Sequence, residues 1–176
     1  MLNNRLLKPI AATALIFAIG TAYTQSTPDA HQLLTAAEAT AKKEHKNVFV
    51  VFHASWCGWC HKLEKLMGSA DFKPLFDANY QVIWVDIQEH DAKHPETPGG
   101  EDLAKQLGAA DQGLPFYTIL SPGGKTLGDS RDGQAGNIGY PGEPGEVTYF
   151  VSLLKSSAPH ASGQQLSDLE SYLRKK

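Results

Sequence analysis

Apolar positions recur with two different periods along this chain, and the alternation between them outlines its architecture. Leu33, Leu34, Ala37 and Ala41 repeat at helical spacing behind Thr27-Pro28 and ahead of Lys42, Lys43 and Lys46. This pattern predicts an amphipathic helix over residues 29–46, with Thr27 as cap and Pro28 at the first helical position. Asn47 ends it, and Val48-Phe49-Val50-Val51-Phe52 follows with no polar alternation, as expected of a strand buried on both faces. Helical spacing returns from Gly58 through Leu63, Leu66 and Met67, and Pro74 kinks or restarts the helix up to Ala78. Residues 81–87 read as a second buried strand. The polar stretch 88–100 is rich in Pro and Gly, and a short helix at 101–107 is closed by Gly108. Two strands, 116–120 and 125–127, flank the turn Ser121-Pro122-Gly123-Gly124. Between 128 and 145 glycine and proline recur too often for a regular element, so this segment is expected to be a loop, mobile or functional. A helix at 147–155 follows, and a last short segment opening at Ser167 is either docked or frayed.

The order helix, strand, helix, strand, helix, strand, strand, helix implies an α/β fold. It calls for a central mixed sheet with helices on both faces, a Gly/Pro-rich insertion and a short C-terminal helical segment. The N-terminus has a different character. Arg5 and Lys8 precede a ten-residue apolar run over 10–19, and Gly20-Thr21-Ala22 ends in small residues, the pattern of a secretory signal cleaved after Ala22. Ten residues are about half of the ~20 a helix needs to cross a bilayer. The expected organisation is a signal peptide at 1–22, one domain at 23–157 and a tail at 158–176. The exported product would be periplasmic or secreted, in a bacterial envelope.

Charge narrows the range of partners. The chain has 16 Lys and Arg against 19 Asp and Glu, and loss of residues 1–22 leaves 14 against 19, a net −5. That gives no electrostatic footprint for nucleic acid. Two cysteines among 176 residues are too few to staple a fold of this size. The pair therefore calls for a chemical role.

Cys57-Gly58-Trp59-Cys60 lies where the first strand stops and the next helix begins. A helix N-terminus offers free N–H groups and positive potential, both favouring thiolate, so the Cys57 thiol should fall below the free value of about 8.5. Two intervening residues let the sulfurs close within one turn. Cys57 would attack a partner disulfide and Cys60, one turn further in, would resolve the mixed disulfide. Trp56 and Trp59 beside such a thiol read as an apolar docking surface.

Around this pair the sequence resembles the thioredoxin-like superfamily, in particular its exported thiol:disulfide interchange proteins with W-C-x-W-C-H sites. Phe52-His53-Ala54-Ser55-Trp56-Cys57-Gly58-Trp59-Cys60-His61-Lys62 matches the family's strand, aromatic, W-C-x-x-C and basic helix start, and Gly113-Leu114-Pro115-Phe116 matches its second hallmark. The resemblance covers about residues 30–157. It implies a thioredoxin-like fold, a cis peptide bond before Pro115 and a substrate groove formed by Trp56, Gly58, Trp59, Leu114 and Pro115. It also implies no cofactor beyond the redox-active disulfide, and partners that are protein disulfides or dithiols. Electrons would come from a second redox protein at the membrane, and a monomer is expected. Several positions depart from the family. Its buried Asp falls at Val51, its proton-shuttling Lys at Trp84, the usual Gly-Pro between the cysteines is Gly58-Trp59, and its N-terminal strand has no match before Thr27. A proton acceptor for Cys60 must then lie elsewhere; His61 and Glu64 are within helical reach, though each reads more simply as a solvated helix residue.

Three rival readings share these residues. Cys57-x-x-Cys60-His61 is also the attachment pattern of c-type haem, but a buried β run directly before it does not suit a small helical haem fold. Two thiolates and a histidine would suit a soft metal such as copper, in a non-catalytic metal-handling or protein-binding module, yet one helix turn leaves such a site incomplete. A static disulfide closing so short a loop stabilises little. His90 and His94, near Glu89, Asp91 and Glu96, read as a solvated loop rather than a metal site, because His94-Pro95 and Pro98-Gly99-Gly100 oppose a helix there. No metal is expected.

Overall fold

The structure, a computed structural model, describes residues 27–133 and 136–175. The expected signal peptide at 1–22 lies outside the described residues. In chain order the elements are α1 (Ala30–Glu44), β1 (Asn47–His53), α2 (Gly58–Met67), α3 (Lys73–Asn79), β2 (Tyr80–Asp86) and α4 (Gly100–Gln106). They continue with β3 (Phe116–Leu120), β4 (Thr126–Asp129), α5 (Pro144–Ser157) and α6 (Gly163–Arg174). The sheet order is β2-β1-β3-β4. β1 runs parallel to β2 through the α2–α3 crossover and antiparallel to β3, and β3 and β4 form the hairpin. None of the described helices is long and apolar enough to cross a membrane.

The period-2 alternation of a strand explains why the apolar run at β1 is unbroken. Val48, Val50 and Phe52 join a cluster with Ala37 and Ala41 of α1 and Leu103 of α4, while Phe49 and Val51 face α2, α3, α5 and α6. On that second face Phe49 meets the rings of Phe76, Tyr80 and Tyr117 at 6.2, 5.3 and 5.3 Å between centroids. A fully buried aromatic side chain of this kind contributes roughly 2–3 kcal/mol by burial, and β1 carries two such rings at the centre of the sheet. The catalytic candidates therefore begin at the end of a deeply buried central strand.

Helix boundaries differ from expectation wherever a capping box decides them. α1 is capped by Asp29 rather than Thr27: the Asp29 carboxylate accepts from the His31 and Gln32 N–H groups, and Gln32 Oε1 accepts from Asp29 N–H. Reciprocal satisfaction of two orphan donors outweighs the Pro at position 28. The same device places the start of α5 at Pro144, with Glu143 and Glu146, and that of α6 at Gly163, with Ser162 and Gln165, four residues before Ser167. α6 is docked: Leu166, Leu169 and Leu173 enter the core cluster beside α5, and Tyr172 meets Phe72 edge-on at 5.0 Å. The C-terminal segment, through α6, thus packs on the domain rather than trailing from it.

The Gly/Pro-rich stretch is stitched down by its polar groups. Arg131 and Asn137 form an isolated antiparallel bridge, Ile138 N–H donates to Ser130 O at 2.8 Å, and the Tyr149 hydroxyl lies 2.9 and 2.7 Å from the carbonyls of Asp129 and Arg131. Its position over the β3 edge, held from α5, gives this segment a place in the site.

Candidate active site

β1 ends at His53, and residues 54–57 form a turn closed by Cys57 N–H donating to Ala54 O at 3.0 Å. The turn delivers Cys57 to the N-cap of α2, where its Sγ accepts the Cys60 N–H at 3.1 Å. The two sulfurs are bonded to each other, with 5.2 Å between the Cα atoms. Neither cysteine is open to solvent, at 4% and 1% exposure. Ala54 and the two cysteines form a small buried cluster against which Leu114 packs, and the Leu114–Pro115 peptide bond is cis. The two sequence motifs, separated by more than fifty residues, meet here because β1 and β3 are neighbours in the sheet.

Exposed aromatic surface surrounds this buried pair. Trp56 and Trp59 are 52% and 54% exposed, which is unusual for rings of this size in a folded domain. Trp59 stacks on Tyr140 at 6.0 Å and carries the Lys62 ammonium 3.8 Å above its ring. Trp59, Tyr140, Leu114, Gly113 and Asn137 line a cleft of about 320 Å³ that runs past the Leu114–Pro115 loop. Trp56 stacks on His90 at 5.3 Å, and its indole N–H donates to Gln88 O at 2.7 Å. Gly58 has open space around it, so the first turn of α2 is unobstructed between the two indoles.

Three residues assigned no role in the site from sequence, Asn137, Glu89 and His53, are brought to this region by the fold. Asn137 donates its amide to Gly113 O at 2.5 Å and Pro115 O at 3.1 Å, while its Oδ1 accepts from Gly139 N–H. Gly139 has φ +54° and its missing Cβ would lie 3.5 Å from Pro115 Cδ, so the insertion approaches the loop through a left-handed residue. Glu89 accepts from both Ser55 N–H, at 2.5 Å, and Ser55 Oγ–H, at 2.6 Å. His53, the last residue of β1, faces the α2 side. Its Nε2 is 3.1 Å from Asp86 Oδ1, within ion-pair range but without the alignment of a hydrogen bond, and its ring meets Trp84 at 5.0 Å. Burial pushes the His53 imidazole below its usual value, while Asp86, Glu64 and Glu89 pull it up and His61 opposes them. For Glu89 and Asn137 no local sequence signal exists. His53 had one, a polar residue in strand register with Phe49 and Val51.

The positions where the resemblance looked for an acid and a lysine, Val51 and Trp84, are register partners on adjacent strands. An apolar pair stands there. His61 and Glu64 lie on the exposed side of α2, with side chains 57% and 62% accessible. His61 Nε2 is 2.9 Å from Ser55 O, which ties the ring to the turn before Cys57, and Nδ1 is 3.8 Å from Glu64. His90 and His94 sit on the 88–98 loop, and among the described residues no three His, Cys, Asp or Glu side chains gather into a possible metal site.

Residues 29–122, just over half of the chain, match the family model described as Thioredoxin-like, and the chain belongs to that family. Among solved structures it is similar to a disulphide isomerase from Xylella fastidiosa Temecula1, at TM-score 0.52 and 21% identity over 89% of this chain and 99% of that one. It is also similar to a DsbH oxidoreductase, at TM-score 0.51 and 23% identity over 87% and 93%. Likeness at this identity is likeness of fold. No curated protein sequence matches the chain significantly.

Proposed function

We propose that this chain is an exported thiol:disulfide oxidoreductase that exchanges disulfides with partner proteins and works in the reducing direction. The observation that carries this reading is the placement of the Cys57–Cys60 disulfide at the N-cap of α2, under Leu114 and beside two exposed indoles. The Cys60 N–H that meets Cys57 Sγ, together with the helix N-terminus, stabilises a thiolate at Cys57 once the bond is reduced.

The exchange balances without an organic cofactor. The Cys57 thiolate attacks one sulfur of a partner disulfide, forming the Cys57–partner bond and releasing the second partner sulfur as thiolate. Cys60, after losing its proton, attacks Cys57 Sγ; the Cys57–Cys60 disulfide forms and the first partner sulfur leaves as thiolate. Two electrons pass to the partner, and a dithiol protein upstream, at the membrane, restores the pair. Trp56, Gly58, Trp59, Leu114 and Pro115 form the surface on which the partner segment lies. His61 and Glu64, open to solvent one turn above the cysteines, are the groups through which protons reach water. The protein acts as a monomer.

The test is trapping. Cys60→Ser should accumulate mixed disulfides with partner proteins, and Cys57→Ser should abolish both turnover and adducts. A metal-handling or purely binding module would give neither effect. The reduction potential of the wild-type pair fixes the direction: a value near about −270 mV supports reduction of partners, and one near about −120 mV would reverse it.

A further inference from the structure

The turn that presents Cys57 is gripped from outside by the loop that follows β2. Ser55 is held through both its N–H and its hydroxyl by the Glu89 carboxylate, and Trp56 through its indole N–H by Gln88 O. Gln88 adopts φ +56°, a left-handed conformation uncommon for a side-chain-bearing residue, and this turns its carbonyl and Glu89 toward the site. The loop is braced in turn: Glu89 N–H donates to Glu96, Thr97 bridges Asp86 through its backbone and hydroxyl, and Pro98 O receives Ala30 N–H. Glu89 is thus a negative charge anchored on Ser55, two residues before the nucleophile. The Ser55 hydrogen bonds hold its carboxyl below the usual range, with His94 and His53 adding to that, so it is ionised at neutral pH.

We propose that Glu89 is a positioning residue of the active site whose charge opposes the thiolate at Cys57 and so biases the pair toward the reducing direction. The inference rests on the oxidoreductase reading and extends it. Two influences act on the Cys57 sulfur with opposite sign. The α2 N-terminus and the Cys60 N–H favour the thiolate; a carboxylate anchored on the preceding turn disfavours it. A less stable thiolate leaves the dithiol less stable relative to the disulfide, which is the condition for a reductant. The other ionisable groups around the turn and the loop that grips it are His61, Lys62 and Glu64 from α2, His90, His94 and Glu96 from the same loop, and His53 and Asp86 from the strand ends. Among these, Glu89 alone hydrogen-bonds the turn through a carboxylate. Ser55 and Cys57 are two residues apart, at most about 8 Å of chain, and a unit charge at a separation of that order at a protein–water boundary changes a thiol acidity constant by roughly two- to sixfold.

The experiment titrates Cys57 by thiolate ultraviolet absorbance in the Cys60→Ser protein, where it is the remaining thiol of the chain, alone and with Glu89→Gln or Glu89→Asp added. Gln keeps one carbonyl oxygen to accept from Ser55 N–H, offers an amide N–H to Ser55 Oγ in place of the second acceptor, and removes the charge, so the acidity constant should rise roughly two- to sixfold. Raising the ionic strength should narrow that gap, as an exposed charge interaction requires. Asp keeps the charge and should stay near the parent value. With both cysteines present, Glu89→Gln should shift the glutathione equilibrium toward the dithiol by up to the same factor. An unchanged acidity constant in Glu89→Gln would overturn the inference. So would a shift in Glu89→Asp as large as that in Glu89→Gln, since the effect would then belong to loop geometry and not to charge. Mixed-disulfide trapping by Cys60→Ser is independent of either result, so failure here and failure of the oxidoreductase reading are distinguishable.

Discussion

Asn137 offers the sharpest test of how the insertion serves the site. Asn137→Asp changes one atom and reverses its polarity, putting an acceptor where the amide now donates to Gly113 O and Pro115 O. Two hydrogen bonds are lost, each worth about 0.5–1.5 kcal/mol net. Because Asn137 is half-buried, water compensates in part, and the expected loss of stability is about 1–2 kcal/mol. For a domain of roughly 150 residues that corresponds to a fall in melting temperature of roughly 2–8 °C. The effect on chemistry should be disproportionate, since the two carbonyls flank Leu114, which packs on the cluster that holds the cysteines. Stability is read by thermal and urea denaturation of the oxidised protein, and exchange by the second-order rate constant with a peptide disulfide at a temperature where both variants are folded. A rate constant reduced severalfold in the folded variant is expected. If Asn137→Asp kept wild-type stability and rate, the insertion would not be what positions the Leu114–Pro115 loop.

Other expectations follow from burial and ionisation. Leu169→Ala empties a fully buried position of α6 and should cost about 2–5 kcal/mol in urea denaturation, whereas Gln164→Ala on the exposed face of the same helix should cost under about 0.5 kcal/mol; equal effects would mean that α6 is not part of the core. His53 has its folded-state value pushed below the usual one, chiefly by burial, so the unfolded chain takes up a proton there first as the pH falls. Its contribution to stability is therefore present above about pH 6.5 and is lost as the pH drops from there toward the folded value. His53→Gln should show a smaller loss of stability between about pH 7 and pH 5 than the wild type, measured by denaturation at each pH. An identical pH dependence would show that the imidazole is no less protonated in the folded chain than in the unfolded one.

The insertion shows how far composition can carry an argument. Its glycines and prolines oppose a regular element, and between β4 and α5 a loop forms, with β4 running on to Asp129 and α5 starting at Pro144. Arg131 bridges Asn137 within the segment, while Tyr149 reaches back from α5 and Asn137 crosses to the β3 entry. Those contacts turn a breaker-rich stretch into one wall of the cleft beside Trp59.

Some features were legible because their physics is local. A strand buried on both faces must be apolar without alternation, and Val48 to Phe52 declared the centre of the sheet on that ground alone. A reactive cysteine pair needs a helix start and a two-residue spacing, and both lie within the stretch from Trp56 to His61. The capping boxes at Asp29, Glu143 and Ser162 are equally local, written in the pairs Asp29/Gln32, Glu143/Glu146 and Ser162/Gln165, yet the sequence pattern pointed instead to Thr27, Val147 and Ser167 as helix starts. Tertiary structure alone decided the rest. Glu89 meets Ser55 across 34 positions of sequence and Asn137 meets Gly113 across 24. His53 acquires its depressed basicity from burial against β2 and α2. Hydrogen bonds and desolvation between distant segments depend on where the sheet order and crossover bring chain ends together, and no period or motif in the separate segments encodes that proximity.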